Sequence, residues 1–434
     1  MWALWPRKKS RLFYRRGVFF LTCPLMGDTV TDPVTRLTAN VNQWKRHSGI
    51  TCQWHAFSLA KRNAFRITFF RSAFMSFANK RKPLNRGGAM DKKIAVLGTG
   101  AIGSSVGADL TKAGYYVVLI DQWPAHVEAM KASGLKVTMP DEELHTPVNT
   151  LHLCDVCTLT YQFDIVLLTA KSYDSCWMAE FIKPYLKPDG VLVSLQNSLN
   201  DEWIAPIIGF TRDIGCVVEL SAEIFEPAQV KRNTARTGTW FGLGELHGRI
   251  TPRLEELAQI LSAVGKTQTT TNIWGAKWTK LIANCMLQAP IGILGLYEWE
   301  ATQIPQAFEF CIKLGQEGTE VGTALGYTIE AIYGLSPEEF MGSTDEVLKK
   351  NLVTLVTHIG KEARNSVLQD HLKGRYSEVD FLNGLIVRKG KEAGVPTPLN
   401  EGVTSLTKQI QYGSLKPDRS NLPLLENLMA ENAS

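Results

Sequence analysis

The chain has 434 residues, of which 44% are hydrophobic and 21% charged, and a formal net charge of +5; that length suggests two or three domains. The charge is uneven: residues 1–89 hold 17 Lys/Arg against only Asp28 and Asp32, whereas the remainder holds 30 basic and 40 acidic residues. An acidic main body argues against nucleic acid as a partner, and the longest apolar run of the basic segment, Gly17 to Met26, is too short to span a bilayer.

Residues 1–89 show no sustained helical or strand period and mix Trp, Phe, Pro and Arg without pattern. An Arg-rich, acid-poor start reads as a targeting peptide, but about 89 residues is long for one, and no clear small-residue cleavage site follows the apolar run. Met90-Asp91-Lys92-Lys93 stands just before the first strand-like run. The preceding Arg86-Gly87-Gly88-Ala89 can be encoded by a purine-rich run like a ribosome-binding site. The expectation is a non-native or disordered leader over 1–89 and a functional protein that begins at Met90. Peptides from 1–89 in mass spectrometry of the native protein would refute it.

Next comes Ile94-Ala95-Val96-Leu97, then Gly98-Thr99-Gly100-Ala101-Ile102-Gly103, a helical pattern that stops at Gly114, and Val117 to Ile120 ending in Asp121. The order is strand, glycine turn, helix, strand, acid. Gly98 permits the tight turn, Gly100 the approach of a pyrophosphate, and Gly103 close packing of helix on strand. Backbone N–H groups at Ala101 and Ile102 open the helix and face the anion. Asp121, 18 residues after Gly103, stands where an acid accepts from a ribose 2′-OH. Strand-like runs at 164–169, 190–197 and 216–220 then alternate with helical stretches, which predicts a doubly wound parallel sheet over residues 91–271. Lys171, Asn197 and Glu219 fall at or just past strand ends, where such sheets bind ligands.

From residue 272 long helical stretches replace the strands: 274–296, 302–325, 345–369 and 377–392. An all-α domain is expected over 272–420, followed by a tail, 421–434. Together the two domains make an α/β Rossmann-type N-terminal domain plus an all-α C-terminal domain. On the first helix, Lys280 and Asn284 share a face. Lys280 reads either as a solvated lysine or as a partly buried one whose pKa falls and which donates a proton. Ser377 reads as a helix N-cap with Asp380 at N3. Glu378 reads either as a first-turn acid favoured by the helix dipole or as a carboxylate for a substrate hydroxyl.

Eight scattered cysteines, with Cys154-x-x-Cys157 lacking a second pair, suggest reduced thiols, a cytoplasmic protein and no metal.

The chain from Lys93 to about Leu415 resembles the ketopantoate (2-dehydropantoate) 2-reductase family. The resemblance rests on Gly98-Thr99-Gly100-Ala101-Ile102-Gly103, Leu195-Gln196-Asn197, the Trp278, Lys280 and Asn284 spacing, and Arg364 to Asp370 followed by Ser377 to Gly384. It implies Lys280 as general acid to the ketone. It also implies Asn284, Ser366 and Glu378 as ligands of a small 2-keto acid, Asn197 between nicotinamide and substrate, and Lys171 along an NADPH or NADH cofactor. A homodimer is compatible with this architecture. Ser198 stands where the family usually has Gly, and Gln288 where it commonly has a second Asn. These departures leave open a paralogue acting on a different 2-keto or 3-hydroxy acid. A non-enzymatic NAD(P)-binding regulator is the alternative of a different class. Family members that use NADPH tend to be basic or neutral at the position of Asp121. A carboxylate repels a 2′-phosphate, and Gln122 and Trp123 supply no compensating cation, so these residues favour NADH, whereas the resemblance implies NADPH as the family default.

Overall fold

The structure, a computed structural model, describes residues 12–15, 18–21, 90–333, 338 and 341–432. The chain divides into two units, Met1–Lys80 and Arg81–Ser434. In the first, β1 (Leu12–Arg15) and β2 (Val18–Leu21) pair as an antiparallel hairpin. The rest of the leader expected over 1–89 lies outside the described residues.

The second unit opens on β3 (Lys93–Leu97), α1 (Ala101–Lys112) and β4 (Tyr116–Asp121). Ile94 to Leu97 and Val117 to Ile120 are buried throughout, as parallel strands covered on both faces must be. The chain continues through α2 (Pro124–Ser133), β5 (Leu135–Thr138), β6 (Glu143–Thr146), β7 (Asn149–His152) and β8 (Phe163–Leu168). Next are α3 (Ser175–Ile182), β9 (Leu186–Leu195), α4 (Asp201–Ile208) and β10 (Asp213–Glu219). Then come β11 (Ala222–Glu226), β12 (Gln229–Arg232), β13 (Trp240–Glu245), α5 (Pro252–Leu261) and β14 (Lys266–Thr269).

Eight strands form one sheet in the order β14-β13-β10-β9-β8-β3-β4-β7. All neighbours are parallel except β10 and β13. The chain builds outward from β3 on one side, then returns to β8 on the other. A crevice therefore opens at the carboxyl ends of β3 and β8. Gly98, Thr169, Gln196 and Glu219 all lie at that edge.

A second sheet, β11-β12-β5-β6, was not foreseen. It packs against α1 and is pinned there by buried Arg232, whose Nη1 lies 2.7 Å from Asp109 Oδ2. Four- and five-residue strands give too few alternations to register as a period.

Helices take over at α6 (Ile273–Leu294), capped by the Asn272 side chain at Gly275 N–H and by Gly295 in the left-handed region. Its 22 residues are buried on nearly every face, so it is the axle of the helical core rather than a surface helix. Around it lie α7 (Glu298–Ala301), α8 (Pro305–Ala324), α9 (Thr344–Ile359), α10 (Ser366–Leu372), α11 (Asn383–Ala393) and α12 (Pro398–Gln411). The helix expected over 345–369 is two: Gly360 turns at φ +80°, and the Asn365 side chain caps α10. The helix expected from Ser377 starts at Asn383 instead. Ser377 Oγ is buried with no hydrogen-bond partner among the described residues, so the expected capping box is not formed. The segment read as a tail contains a helix, α13 (Leu422–Glu431), packed on α8 and α12. No helix among the described residues is long and apolar enough to cross a membrane.

One buried cluster joins the two domains. On α6, Lys277 Nζ donates to Asp201 Oδ2 and, at 3.1 Å, to Ser194 Oγ. Asp213 is fully buried nearby, and neither of its oxygens has a partner among the described residues. Burial and the Asp201 charge raise its pKa well above the usual carboxylate range. A raised carboxyl pKa favours the fold when protonated, so this group costs most stability above its folded pKa and least below the unfolded value near 3.9. Asp213→Asn is expected to raise the Tm at pH 8, by about 2–4 °C per kcal/mol recovered. Calorimetry showing an equal or lower Tm would contradict this account.

Candidate active site

A cavity of about 540 Å³ runs along the carboxyl edge of the sheet and under the helical domain. Its floor at one end is the glycine turn. Gly98 holds φ +87°, and a Cβ there would meet Ala170 at 2.9 Å. Gly100 faces open space, with no atom within 4 Å of an added Cβ. No side chain caps α1, and no acid lies in its first turn, so its leading N–H groups are left for an anion at the positive helix end. Gly98, Gly100, Ala101 and Ile102 all line the cavity. These features fit the pyrophosphate of a dinucleotide. Gly103 does not line it. An added Cβ there would lie 2.4 Å from Thr169 Oγ1, so this glycine serves the close seating of α1 on the sheet.

Asp121 lines the cavity and is buried. Each of its oxygens already accepts from the protein: Oδ2 from Thr99 Oγ1 at 3.1 Å, Oδ1 from Trp123 N–H at 2.7 Å. His126 packs beneath, accepting Ala228 N–H at Nδ1 and lying 2.9 Å from Thr99 O through Nε2. Burial, against the Asp121 charge and the bond to Thr99, holds its pKa below the ordinary value. Arg375, from the helical domain, lies 5.7 Å from the Trp123 ring and lines the same cavity.

Lys171 follows β8. Its Nζ lies 2.7 Å from Asp370 Oδ2 and 3.0 Å from Glu378 Oε2. Burial opposes its charge, but the two carboxylates outweigh burial and raise its pKa. Glu378 also accepts at Oε1 from Ser172 N–H (2.9 Å) and Oγ (2.8 Å). Burial would raise its pKa, yet Lys171 and Ser172 hold it below the ordinary value. Glu378 precedes a short 3-10 turn, Val379–Phe381, and is not a first-turn acid of a helix.

Lys280 and Asn284 point from α6 into the cavity. Lys280 Nζ lies 2.6 Å from Glu219 Oε2 at the end of β10, and 4.9 Å from the centre of the Tyr333 ring. Its expected fall in pKa is overturned. Burial does push it down, but Glu219 and Tyr333 outweigh that, and the net shift is upward. Glu298, at the start of α7, is buried in the same wall, where desolvation and the Glu219 charge push its carboxyl up to about 8. Asn284 Nδ2 donates to Asn197 Oδ1 across the domains at 2.9 Å. Gln288, one turn further, accepts at Oε1 from both Ser366 N–H and Ser366 Oγ, each at 2.9 Å. A backbone N–H only donates, so the amide orientation is fixed, and Gln288 turns its NH₂ away from Ser366. Ser198 is absent from the cavity wall. It holds φ +74°, and its hydroxyl donates to Phe381 O at 2.6 Å, which makes it a domain fastener rather than a substrate contact.

Gly98, Gly100, Ala101, Ile102, Asp121, Lys171, Asn197, Lys280, Asn284, Ser366 and Glu378 thus meet at one cavity, whereas Gly103, Ser198 and Ser377 do not line it. Glu298, Lys373 and Arg375 join them unannounced, and Tyr333 packs on Lys280; nothing local in the sequence links these four to the glycine turn or to Lys280. Among the described residues no group of three or more His, Cys, Asp or Glu is placed to hold a metal.

Comparison with known proteins agrees with this arrangement. The family model "Ketopantoate reductase PanE/ApbA" matches residues 94–245, and its C-terminal counterpart matches residues 272–411. A 2-dehydropantoate 2-reductase of Pyrococcus horikoshii is 30% identical over 324 residues, 73% of this chain and 96% of that protein. A PanE/ApbA family ketopantoate reductase structure from Ralstonia eutropha JMP134 is similar at TM-score 0.61 and 27% identity, over 74% of this chain and 98% of that one. A D-mandelate dehydrogenase solved with NADH and anilino(oxo)acetate shares the fold at TM-score 0.65 and 24% identity, over 74% of this chain and 98% of that one. The chain belongs to the ketopantoate reductase PanE/ApbA family and is an NAD(P)-dependent oxidoreductase acting on a CH–OH group.

Proposed function

We propose that this protein reduces 2-dehydropantoate to pantoate, with Lys280 as the general acid. One observation carries the reading: Lys280 from α6 and Glu219 from β10 meet 2.6 Å apart at the cavity that the glycine turn also lines. The dinucleotide, when bound, supplies the hydride to the carbonyl carbon. The Lys280 ammonium holds a proton at the carbonyl oxygen and delivers it as negative charge develops there, so that C=O becomes CH–OH. Glu219 keeps that proton on Lys280. The paired amides of Asn197 and Asn284 orient the ketone beneath the nicotinamide position, and Ser366 with Gln288 holds the acid group. Glu378 receives the substrate hydroxyl by exchanging bonds it now makes to Lys171 and Ser172. The scattered free thiols are those of a protein acting in the cytoplasm.

The test is the rate of cofactor oxidation at saturating 2-dehydropantoate, beside a panel of other 2-keto acids. Turnover at least about tenfold faster on 2-dehydropantoate is expected. A second reading, a different 2-keto acid, draws on Gln288 and on Leu355 and Ile359, which give the acid-binding end aliphatic walls. It predicts that an acid with a larger apolar side chain wins the panel. Cofactor binding with no turnover on any acid would instead favour a regulator.

A further inference from the structure

The segment between α10 and the Val379–Phe381 turn lines the cavity through Lys373, Arg375 and Glu378. Lys171 bridges Asp370 before it and Glu378 after it, and Arg375 N–H closes on Asp370 O at 2.8 Å. A buried clasp therefore sets the position of Lys373 and Arg375, and both line the cavity. Neither makes an ion pair among the described residues. Lys373 Nζ lies 4.5 Å from the Phe225 ring and 3.3 Å from Gln369 Oε1. Arg375 rests against Trp123, two residues beyond Asp121. Burial, with the nearby Lys171 and Arg375 charges and against those of Asp370 and Glu223, lowers the Lys373 pKa to about 8.

The place identifies an anion for the pair. The pyrophosphate position is at the start of α1, whereas Arg375 packs on Trp123, just past the end of β4, and lines the same cavity as Asp121. A guanidinium matches phosphate oxygens with paired donors. Asp121 has already committed an oxygen to each of two protein donors. We propose that Arg375, backed by Lys373, is the subsite for the 2′-phosphate of NADPH. It is supplied by the helical domain and lets this chain accept NADPH in spite of Asp121. The proposal rests on the dinucleotide reading above.

The experiment measures Kd without keto acid, titrating NADPH and NADH separately and following nicotinamide fluorescence, for the wild type and Arg375→Gln. The variant is expected to weaken NADPH about 10- to 100-fold, the loss of one charge-assisted phosphate contact, and NADH less than about threefold. Lys373→Gln is expected to shift the ratio the same way by a smaller factor. Adenosine 2′,5′-bisphosphate should displace cofactor from the wild type more strongly than AMP does, and Arg375→Gln should erase that difference. Equal losses for the two cofactors would place Arg375 on a part they share and overturn the assignment, as would no loss. If the wild type bound neither cofactor, the dinucleotide reading would fall and this inference with it. Calorimetric melting of each variant separates these outcomes from misfolding.

Discussion

Lys280→Ala is expected to lower kcat by a factor of about 10² or more, the usual scale for loss of a positioned general acid, while cofactor Kd changes less than about threefold. The separation follows from geometry. Lys280 sits on α6, and the glycine turn to which we assign the pyrophosphate belongs to another element. The variant also leaves Glu219 buried without its cation, an unpaired charge that costs several kcal/mol unless it takes up a proton. A lower Tm at high pH than at low pH is therefore expected in this variant, because protonation relieves Glu219. Near-normal turnover would remove Lys280 from the chemistry whatever the melting curve showed.

Glu219→Gln is expected to move the basic limb of the pH–kcat/KM profile downward by about two pH units or more, on the scale of a nearby opposite charge. The sign follows from the competing influences on Lys280. Burial favours the neutral amine, and the Glu219 carboxylate, with Tyr333, overrides it. With the carboxylate gone, burial dominates, the ammonium is lost at lower pH, and activity that needs the ammonium falls with it. Turnover near pH 6 should be largely retained. A purely structural Glu219 would instead lower activity by a similar factor at every pH, leaving the limb in place. The two profiles are distinguishable without knowing the preferred acid.

The dinucleotide end of the site was legible in the sequence because its logic is local. Strand, turn, helix, strand and acid lie within 28 consecutive residues, although Gly98 and Gly103 also seat against Ala170 and Thr169 of a later strand end. Glu219 was placed correctly at a strand end, but its partner was not, because the pairing with Lys280 depends on how α6 docks against β10. That docking reversed the expected direction of the Lys280 pKa. Ser377 failed as a cap for a related reason. The Ser-x-x-Asp pattern is a weak local preference, while Glu378 is held by two hydrogen bonds and an ion pair from the other domain. The chain follows the stronger tertiary contacts and starts α11 later. Arg375 was invisible for the plainest reason: a residue that packs on Trp123 need not lie anywhere near it in sequence.

Glu378 has no idle oxygen. Ser172 fills one with two bonds, and Lys171 takes one bond at the other. An acid whose hydroxyl approaches the Ser172-bound oxygen must exchange bonds rather than add them. Its affinity therefore measures a difference between two well-satisfied states, and a close-fitting substrate can bind weakly here while still being the one that reacts.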